Sequence, residues 1–280
     1  MPSAASASAI ELHAHSSCSD GLLAPGALVE LAHRRGLRAL AITDHDTIAA
    51  LSLAAGPARE LGVELVHGVE ISAAHAGAEV HLLGYLFDPA AEPLLRLLEQ
   101  QAAARRARFE QMLERLGAAG VRLDARALLA SAATNPGRLH LARLLVQAGV
   151  VASIPEAFRR YLGAGAACYV PKPLPPVEQA IAAVRAAGGV AVLAHPGRYR
   201  QRPRTAALVA AGLGGIEVYY PSHTPEEVAS WLAEAARYRL VVTGGSDFHG
   251  DPDRPELGSQ PLPADVLEQL RAAACRRRPG

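Results

Sequence analysis

Histidines and carboxylates recur in this chain at the ends of short apolar runs. The groups are Glu11-Leu12-His13-Ala14-His15 with Asp20 following, Thr43-Asp44-His45-Asp46, Gly68-Val69-Glu70, Val80-His81, Ala194-His195-Pro196 and Ser246-Asp247-Phe248-His249. Imidazole nitrogen with carboxylate oxygen is the ligand set of borderline divalent metals such as zinc, manganese and iron. Several such ions in one pocket polarise a phosphoryl oxygen and supply hydroxide near neutral pH, which is the chemistry of phosphate-ester hydrolysis.

Each residue also has a plainer reading. His13 and His15 are two apart, which on a strand puts both on one side. Alone, such a pair is weak evidence and is as readily structural. Asp44, His45 and Asp46 follow an apolar run, where three polar groups are costly unless paired or ligating. His45 is read as the ligand, and Asp44 and Asp46 as acceptors for neighbouring histidines. Glu70 can bridge two ions. His81 on its own would be a satisfied core histidine; beside the other groups it reads as a ligand. His195 precedes the sharp Pro196-Gly197 turn, and Asp247 and His249 offer two ligands on one side of an extended segment. His33 on a polar helix face, His75 in a loop over 73–77 and His67 between two apolar segments are left to structure or solvent. His223, in Pro221-Ser222-His223-Thr224, is open to three readings: general acid, phosphate ligand or bystander.

Such residues meet only if the runs before them are strands of one sheet. Seven runs read as strands: residues 9–12, 39–43, 64–71, 80–86, 190–193, 216–219 and 240–243. All are short and rich in Val, Ile and Leu, as strands buried on both faces are. Helical patterns over 25–35, 49–61, 177–187 and 224–238 lie between them. The alternation predicts a parallel α/β barrel with its strand C-termini gathered on one face. From 91 to 162 the pattern is helical throughout, over 94–116, 125–132, 139–147 and 154–161, before a Pro-rich stretch at 170–176. The expected organisation is a barrel domain from residues 1–90 and 171–280 with a helical insertion at 91–170.

The chain has 280 residues, half of them apolar, and a formal net charge of +1. That balance argues against a strongly basic nucleic-acid coat while leaving room for one basic pocket. Cys18, Cys168 and Cys275 are far apart and form no CxxC, so a reducing cytoplasm is expected rather than a disulfide framework. The first nine residues do not read as a secretory signal, residues 276–280 read as a frayed basic tail, and no apolar run is long enough for a membrane span. No obligate protein partner is evident.

Taken together, Leu12-His13-Ala14-His15, Ile42-Thr43-Asp44-His45-Asp46, Gly68-Val69-Glu70, His81, Ala194-His195-Pro196 and Gly245-Ser246-Asp247-Phe248-His249 resemble the polymerase-and-histidinol-phosphatase (PHP) superfamily. Within it the chain is similar to stand-alone phosphoesterases with a helical insertion, the 3′,5′-nucleoside bisphosphate phosphatases and the 5′→3′ exoribonucleases acting on short RNA. The likeness extends to Arg138-Leu139-His140-Leu141-Ala142-Arg143 and Tyr169-Val170-Pro171-Lys172. It implies a distorted (β/α)7 barrel with two or three metal ions. His13, His15, Glu70 and Asp247 would hold the first, Glu70, His81 and His195 the second, and Asp20, His45 and His249 the third. Arg138 and Lys172 would contact phosphate, with His140 near them. One segment departs: Asn135-Pro136-Gly137 stands where such relatives are rich in Thr or Ser.

Two further observations bear on phosphate contact. An arginine at a helix start, as at 138, is disfavoured by the helix dipole and calls for an anion. Lys172 sits between two prolines on a stiff segment. Arg105, Arg106 and Arg108 read as a solvated helix face. The expected function is hydrolysis of a nucleotide phosphate monoester, a 3′,5′-bisphosphate first, by in-line attack of a metal-bound hydroxide. Asp247 and His195 belong to the catalytic metal set, and His223 would protonate the leaving oxygen. Manganese is expected first, with zinc or iron as alternatives. The competing readings are a 5′→3′ exoribonuclease on short RNA, a histidinol-phosphate phosphatase, and a non-catalytic nucleotide-binding module, which would be expected to have lost ligands.

Overall fold

The computed structural model describes residues 9–131 and 134–276. The opening segment before residue 9, the tail beyond Arg276 and the end of the helix expected over 125–132 lie outside the described residues. The chain divides into two compact units, Met1–Leu98 with Leu174–Gly280, and Glu99–Pro173.

The first unit is a seven-stranded sheet in sequential order: β1 (Ile10–Ala14), β2 (Ala39–Ile42), β3 (Glu64–His75), β4 (Ala78–Tyr85), β5 (Val190–Leu193), β6 (Gly215–Tyr219) and β7 (Val241–Gly244). The sheet curls nearly shut. Backbone bonds from His15 N to Phe248 O (2.8 Å) and from Phe248 N to His13 O (3.3 Å) join the end of β1 to the segment after β7. β1, β2 and β5 are buried along their whole lengths, which is why they read as continuous apolar runs rather than alternating ones.

The sheet is not all parallel. β4 runs antiparallel to both β3 and β5, while the other pairs are parallel. β3 and β4 form a hairpin across Ala76 and Gly77, at φ 50° and 81°. Two positive φ values suit the right-handed twist of a hairpin, but Ala-Gly is not the Asn-Gly or Asp-Gly that announces one. His75 is correspondingly not in an exposed loop. It is buried at the end of β3, and its Nε2 accepts the Arg204 N–H at 3.2 Å.

Helices α1 (Pro25–Arg34), α2 (Ala49–Leu61), α7 (Val177–Ala186), α8 (Thr205–Ala211), α9 (Pro225–Tyr238) and α10 (Val266–Cys275) accompany the strands. α9 shows why its sequence starts a helix. Thr224 Oγ1 accepts from Glu227 N (3.2 Å), Glu227 Oε2 accepts from Thr224 N (2.8 Å), and Pro225 fills the first turn. Ile10, Leu12, Ala41, Val66, Leu83, Tyr85 and Val192 share one core, which Val266, Leu267 and Leu270 of α10 complete. Neither α8 nor α10 was expected from sequence.

The second unit contains most of α3 (Glu92–Ala118), then α4 (Arg126–Ala130), α5 (Arg138–Gln147) and α6 (Ile154–Ala157), which runs into a widened turn over Phe158–Leu162. Phe109, Met112 and Leu116 lie one above another on α3 and pack with Leu141, Leu145 and Leu162 in a core of their own. Among the described residues no helix is long and apolar enough to cross a membrane.

Candidate metal centre

The strand ends of the barrel bring the histidines together. The ring centroids of His13, His15, His45, His81 and His195 follow one another at 5.3, 4.7, 5.1 and 5.2 Å, and His195 returns to His13 at 5.9 Å. His249 stacks on His15 at 4.2 Å. Glu70 serves this ring of five. Its Oε1 lies 2.8 Å from His81 Nδ1 and 3.0 Å from His195 Nε2; its Oε2 lies 3.2 Å from His15 Nε2 and His45 Nδ1 and 3.5 Å from His13 Nε2. Asp247 Oδ1 lies 3.4 Å from His13 Nε2 and 3.2 Å from His15 Nε2. Asp20 reaches His249 Nε2 at 3.3 Å and His45 Nε2 at 3.8 Å.

Local backbone explains these positions. The hairpin sets His81 opposite Ser72, two residues from Glu70, and a parallel bridge pairs His45 with Glu70. Asp46, His195 and Asp247 hold positive φ values of 53°, 28° and 53°. Such conformations cost about 1–3 kcal/mol each and cluster where a side chain must be aimed. Gly245 permits the closure: a Cβ there would collide with His13 Cβ and lie 2.6 Å from His13 N.

Buried carboxylates hold the frame. Asp44 accepts from Ser16 N (2.8 Å), Ser16 Oγ (2.6 Å) and Ser19 Oγ (2.5 Å), and so ties down the loop that carries Asp20. Asp46 accepts from Ser72 N at 2.8 Å and Ser72 Oγ at 3.2 Å. The two aspartates therefore take up serine and backbone donors. Glu11 accepts from His13 N, Ser246 N, Ser246 Oγ and Gly258 N, which links β1 to the loops after β7. The histidine acceptor is Glu217, in β6. Its Oε1 lies 2.7 Å from His13 Nδ1, and its Oε2 accepts the His195 N–H at 2.7 Å. Nδ1 of His13 thus carries its proton toward Glu217, so Nε2 is the nitrogen that faces Asp247 and Glu70 and would be open to a cation.

The electrostatics are those of a cation site. Burial pushes the His15 pKa down, but Asp247 and Glu70 outweigh it and hold it up at about 10. Burial also opposes charge on His81, yet Glu70 lifts it to about 9. At His45 burial wins, and the pKa falls to about 3. Burial resists ionisation of Asp20, Glu70 and Asp247, but the surrounding imidazoles hold all three well below the usual carboxylate range. The donor set passes a direct test of fit. His13 Nε2, His15 Nε2 and His195 Nδ1 are buried without an aligned hydrogen bond, and the first two face carboxylate oxygens at 3.2–3.5 Å, a mixed donor set that suits a cation between them. Among the described residues, three groupings have all donor atoms within 4.8 Å of one another: His15, Asp20, His45 and His249; His13, His15 and Asp247; His45, Glu70 and His81. They differ from the implied partition in detail. His15 also joins the Asp20 group, His45 also faces Glu70, and His195 stands at Glu70 outside the three groupings.

His223 is placed differently from the expectation. Its Nδ1 lies 2.8 Å from the Val218 carbonyl, which can only accept, so Nδ1 bears the proton; its Nε2 accepts the Gly197 N–H at 3.1 Å. Nε2 thus helps hold the His195–Gly197 turn, and Nδ1 anchors the ring to β6. Arg138, His140 and Lys172 belong to the helical unit. There the Arg138 guanidinium lies 5.6 Å from the Phe158 ring centroid, His140 Nδ1 accepts the Gly137 N–H at 3.2 Å and so caps α5, and Lys172 is half-buried. Glu217 was missed at the sequence level, and Glu11 was named there without a role. Their signal was present, since each is a carboxylate inside an apolar strand and must have buried donors.

The PHP domain model matches residues 11–161. The chain belongs to the PHP family. A 5′-3′ exoribonuclease from Haemophilus influenzae is 37% identical, over 89% of this chain and 92% of its own length. A 3′,5′-nucleoside bisphosphate phosphatase from Chromobacterium violaceum is 36% identical, over 91% of this chain and 92% of its length. A crystal structure from Bifidobacterium adolescentis, described as of a metal-dependent phosphoesterase, superposes with a TM-score of 0.88 at 36% identity, over 94% of this chain and 96% of that one. This PHP protein is accordingly a hydrolase of phosphoric esters, with donor clusters suited to divalent ions, and the non-catalytic reading is set aside.

Proposed function

We propose that the protein releases phosphate from a nucleotide phosphomonoester, a nucleoside 3′,5′-bisphosphate first, with two or three divalent ions of which manganese is the leading candidate. The observation that carries this reading is the ring of imidazoles around Glu70, with three buried ring nitrogens left for a ligand. The 36% identity to a bisphosphate phosphatase across most of both chains supports the substrate class. His13, His15, Asp20, His45, Glu70, His81, His195, Asp247 and His249 would hold the ions. Those ions would polarise the phosphoryl group and make hydroxide available near neutral pH. Glu70 offers an oxygen to each side of the site, and Asp247 is fixed through its Oδ2 by the Tyr220 hydroxyl at 2.8 Å, leaving Oδ1 for the centre. Arg138 and Lys172 are proposed to bind phosphate; His140 acts by capping the helix that begins at Arg138. The unpaired thiols Cys18, Cys168 and Cys275 support a cytoplasmic location.

A second reading, exonuclease action on short RNA, is favoured by a charge asymmetry that the net value hides. Residues 99–173 carry eleven Arg and Lys against five Asp and Glu, a net of +6 that leaves −5 for the rest of the +1 chain. A unit with that excess of basic side chains suits a polyanion. The deciding experiment loads the protein with manganese and measures phosphate or nucleotide release from nucleoside 3′,5′-bisphosphates, mononucleotides, short RNA and histidinol phosphate. Fastest turnover of the bisphosphate, with little salt dependence, is expected. Preference for RNA with a steep loss of rate in salt would install the second reading. No release from any substrate by metal-loaded protein would refute both.

A further inference from the structure

We propose that Arg198 is the barrel's own reader of doubly charged phosphate, pairing with the phosphoryl group at the His13–His15–Asp247 cluster and making the site prefer a terminal monoester to a diester. This deepens the monoester reading above and rests on it.

Arg198 closes the short turn Pro196–Arg198 that follows His195. Its NH1 donates to the Tyr220 hydroxyl at 2.9 Å, and its guanidinium carbon lies 5.9 Å from the Tyr220 ring centroid. Tyr220 is buried and passes its own proton to Asp247 Oδ2 at 2.8 Å. The guanidinium itself stands 3.5 Å from that oxygen, with the side chain 51% exposed. The arrangement pins one edge of the fork at the lip of the donor cluster and leaves the rest open to a ligand.

Charge indicates which ligand. A guanidinium keeps its proton at every working pH. The carboxylates facing the donor atoms, Asp20, Glu70 and Asp247, supply three negative charges. Glu217 behind His13 adds a fourth, so three divalent ions would turn that centre net positive. A fixed cation beside a net-positive centre is repelled unless an anion lies between them. A phosphate monoester brings about two negative charges and a diester one, so the guanidinium adds more to binding of the monoester. The planar fork also matches two phosphoryl oxygens at once, which an ammonium group cannot do.

The test uses manganese-loaded wild-type protein, Arg198→Ala and Arg198→Lys. Calorimetric titration at about pH 8 compares inorganic phosphate, then mostly a dianion, with dimethyl phosphate, a monoanion, and manganese per chain is measured alongside. Arg198→Ala is expected to weaken inorganic phosphate by about 10- to 100-fold and dimethyl phosphate by several times less. Manganese content should hold, and Arg198→Lys should recover only part of the loss. Equal weakening of both ligands, or undiminished phosphate binding, would overturn the assignment. So would loss of manganese from Arg198→Ala, which would mean that Arg198 acts by supporting Asp247. The monoester reading fails separately: wild-type protein that releases no phosphate from any monoester, while Arg198→Ala still selectively loses phosphate binding, removes that reading and leaves the role of Arg198 standing.

Discussion

Glu217→Gln is a near-isosteric change that should loosen the metal centre from behind. Glu217 is fully buried and accepts twice, from His13 Nδ1 and from His195 N, each at 2.7 Å. Glutamine has one acceptor oxygen and one NH2, so it cannot satisfy both. If its oxygen faces His13, its NH2 opposes the His195 N–H, and the buried unpaired donors cost about 1–3 kcal/mol. If it flips, its NH2 donates to His13 Nδ1 and drives the ring proton to Nε2. That is the atom 3.4 Å from Asp247 and 3.5 Å from Glu70, where a lone pair is needed for a cation. Either outcome predicts a fall of about 10- to 100-fold in metal affinity, equivalent to about 1.4–2.8 kcal/mol. The assay is competition for manganese against a chelator of known strength, paired with nitrogen-15 spectra of the zinc-loaded protein to read the His13 tautomer. Affinity within a factor of about three of wild type, with the tautomer unchanged, would refute the argument that Glu217 orients the ligand.

Three other outcomes follow from the same geometry. For chelated protein, His15 and His81 have folded pKa values near 10 and 9, above the ordinary 6.5. Their contribution to stability is therefore full below about pH 6.5 and is lost as pH rises through 9 to 10. Melting temperature with chelator should fall over that window, whereas manganese-loaded protein should bind its ions more weakly as pH drops below about 9 to 10 and protons compete for His15 and His81; a flat chelated profile would contradict the ion pairing. Gly245→Ala forces a Cβ against His13, so it should cost about 1–3 kcal/mol in denaturant melts and reduce bound manganese per chain. His195→Ala and Asp247→Ala should abolish most phosphate release with circular dichroism little changed, and retained turnover in added manganese would remove both from the catalytic set.

The strands were legible because a barrel strand buried on both faces must be apolar along its length, and all seven runs became strands. The donor residues were legible for the complementary reason: a histidine or carboxylate directly after such a run is costly unless it has work to do. What misled was local. Ala76-Gly77 carries no strong hairpin signature, so the reversal into β4 and the burial of His75 were not foreseen. α10 has the apolar spacing of an ordinary helix, and nothing local marks its Leu267 and Leu270 as part of the barrel core. His223 stands at a strand end like the other histidines, yet its neighbours use up both of its ring nitrogens.

By itself the sequence determined the chemical vocabulary of this protein: which side chains can hold a cation, which runs must be buried, and the order in which they occur. It also placed the chain in its family, because the spacing within each short motif is a local property of the backbone. The tertiary structure alone decided who meets whom. His13 and Glu217 are 204 residues apart, and their contact exists because the sheet curls until the end of β1 meets the segment after β7. A hydrogen bond of this kind depends on separations of tenths of an ångström, which are set by strand register, by a glycine at 245 and by the twist of the whole barrel. Residue type carries none of that information, so the candidate donors could be picked out along the chain, while the partners that aim them could not.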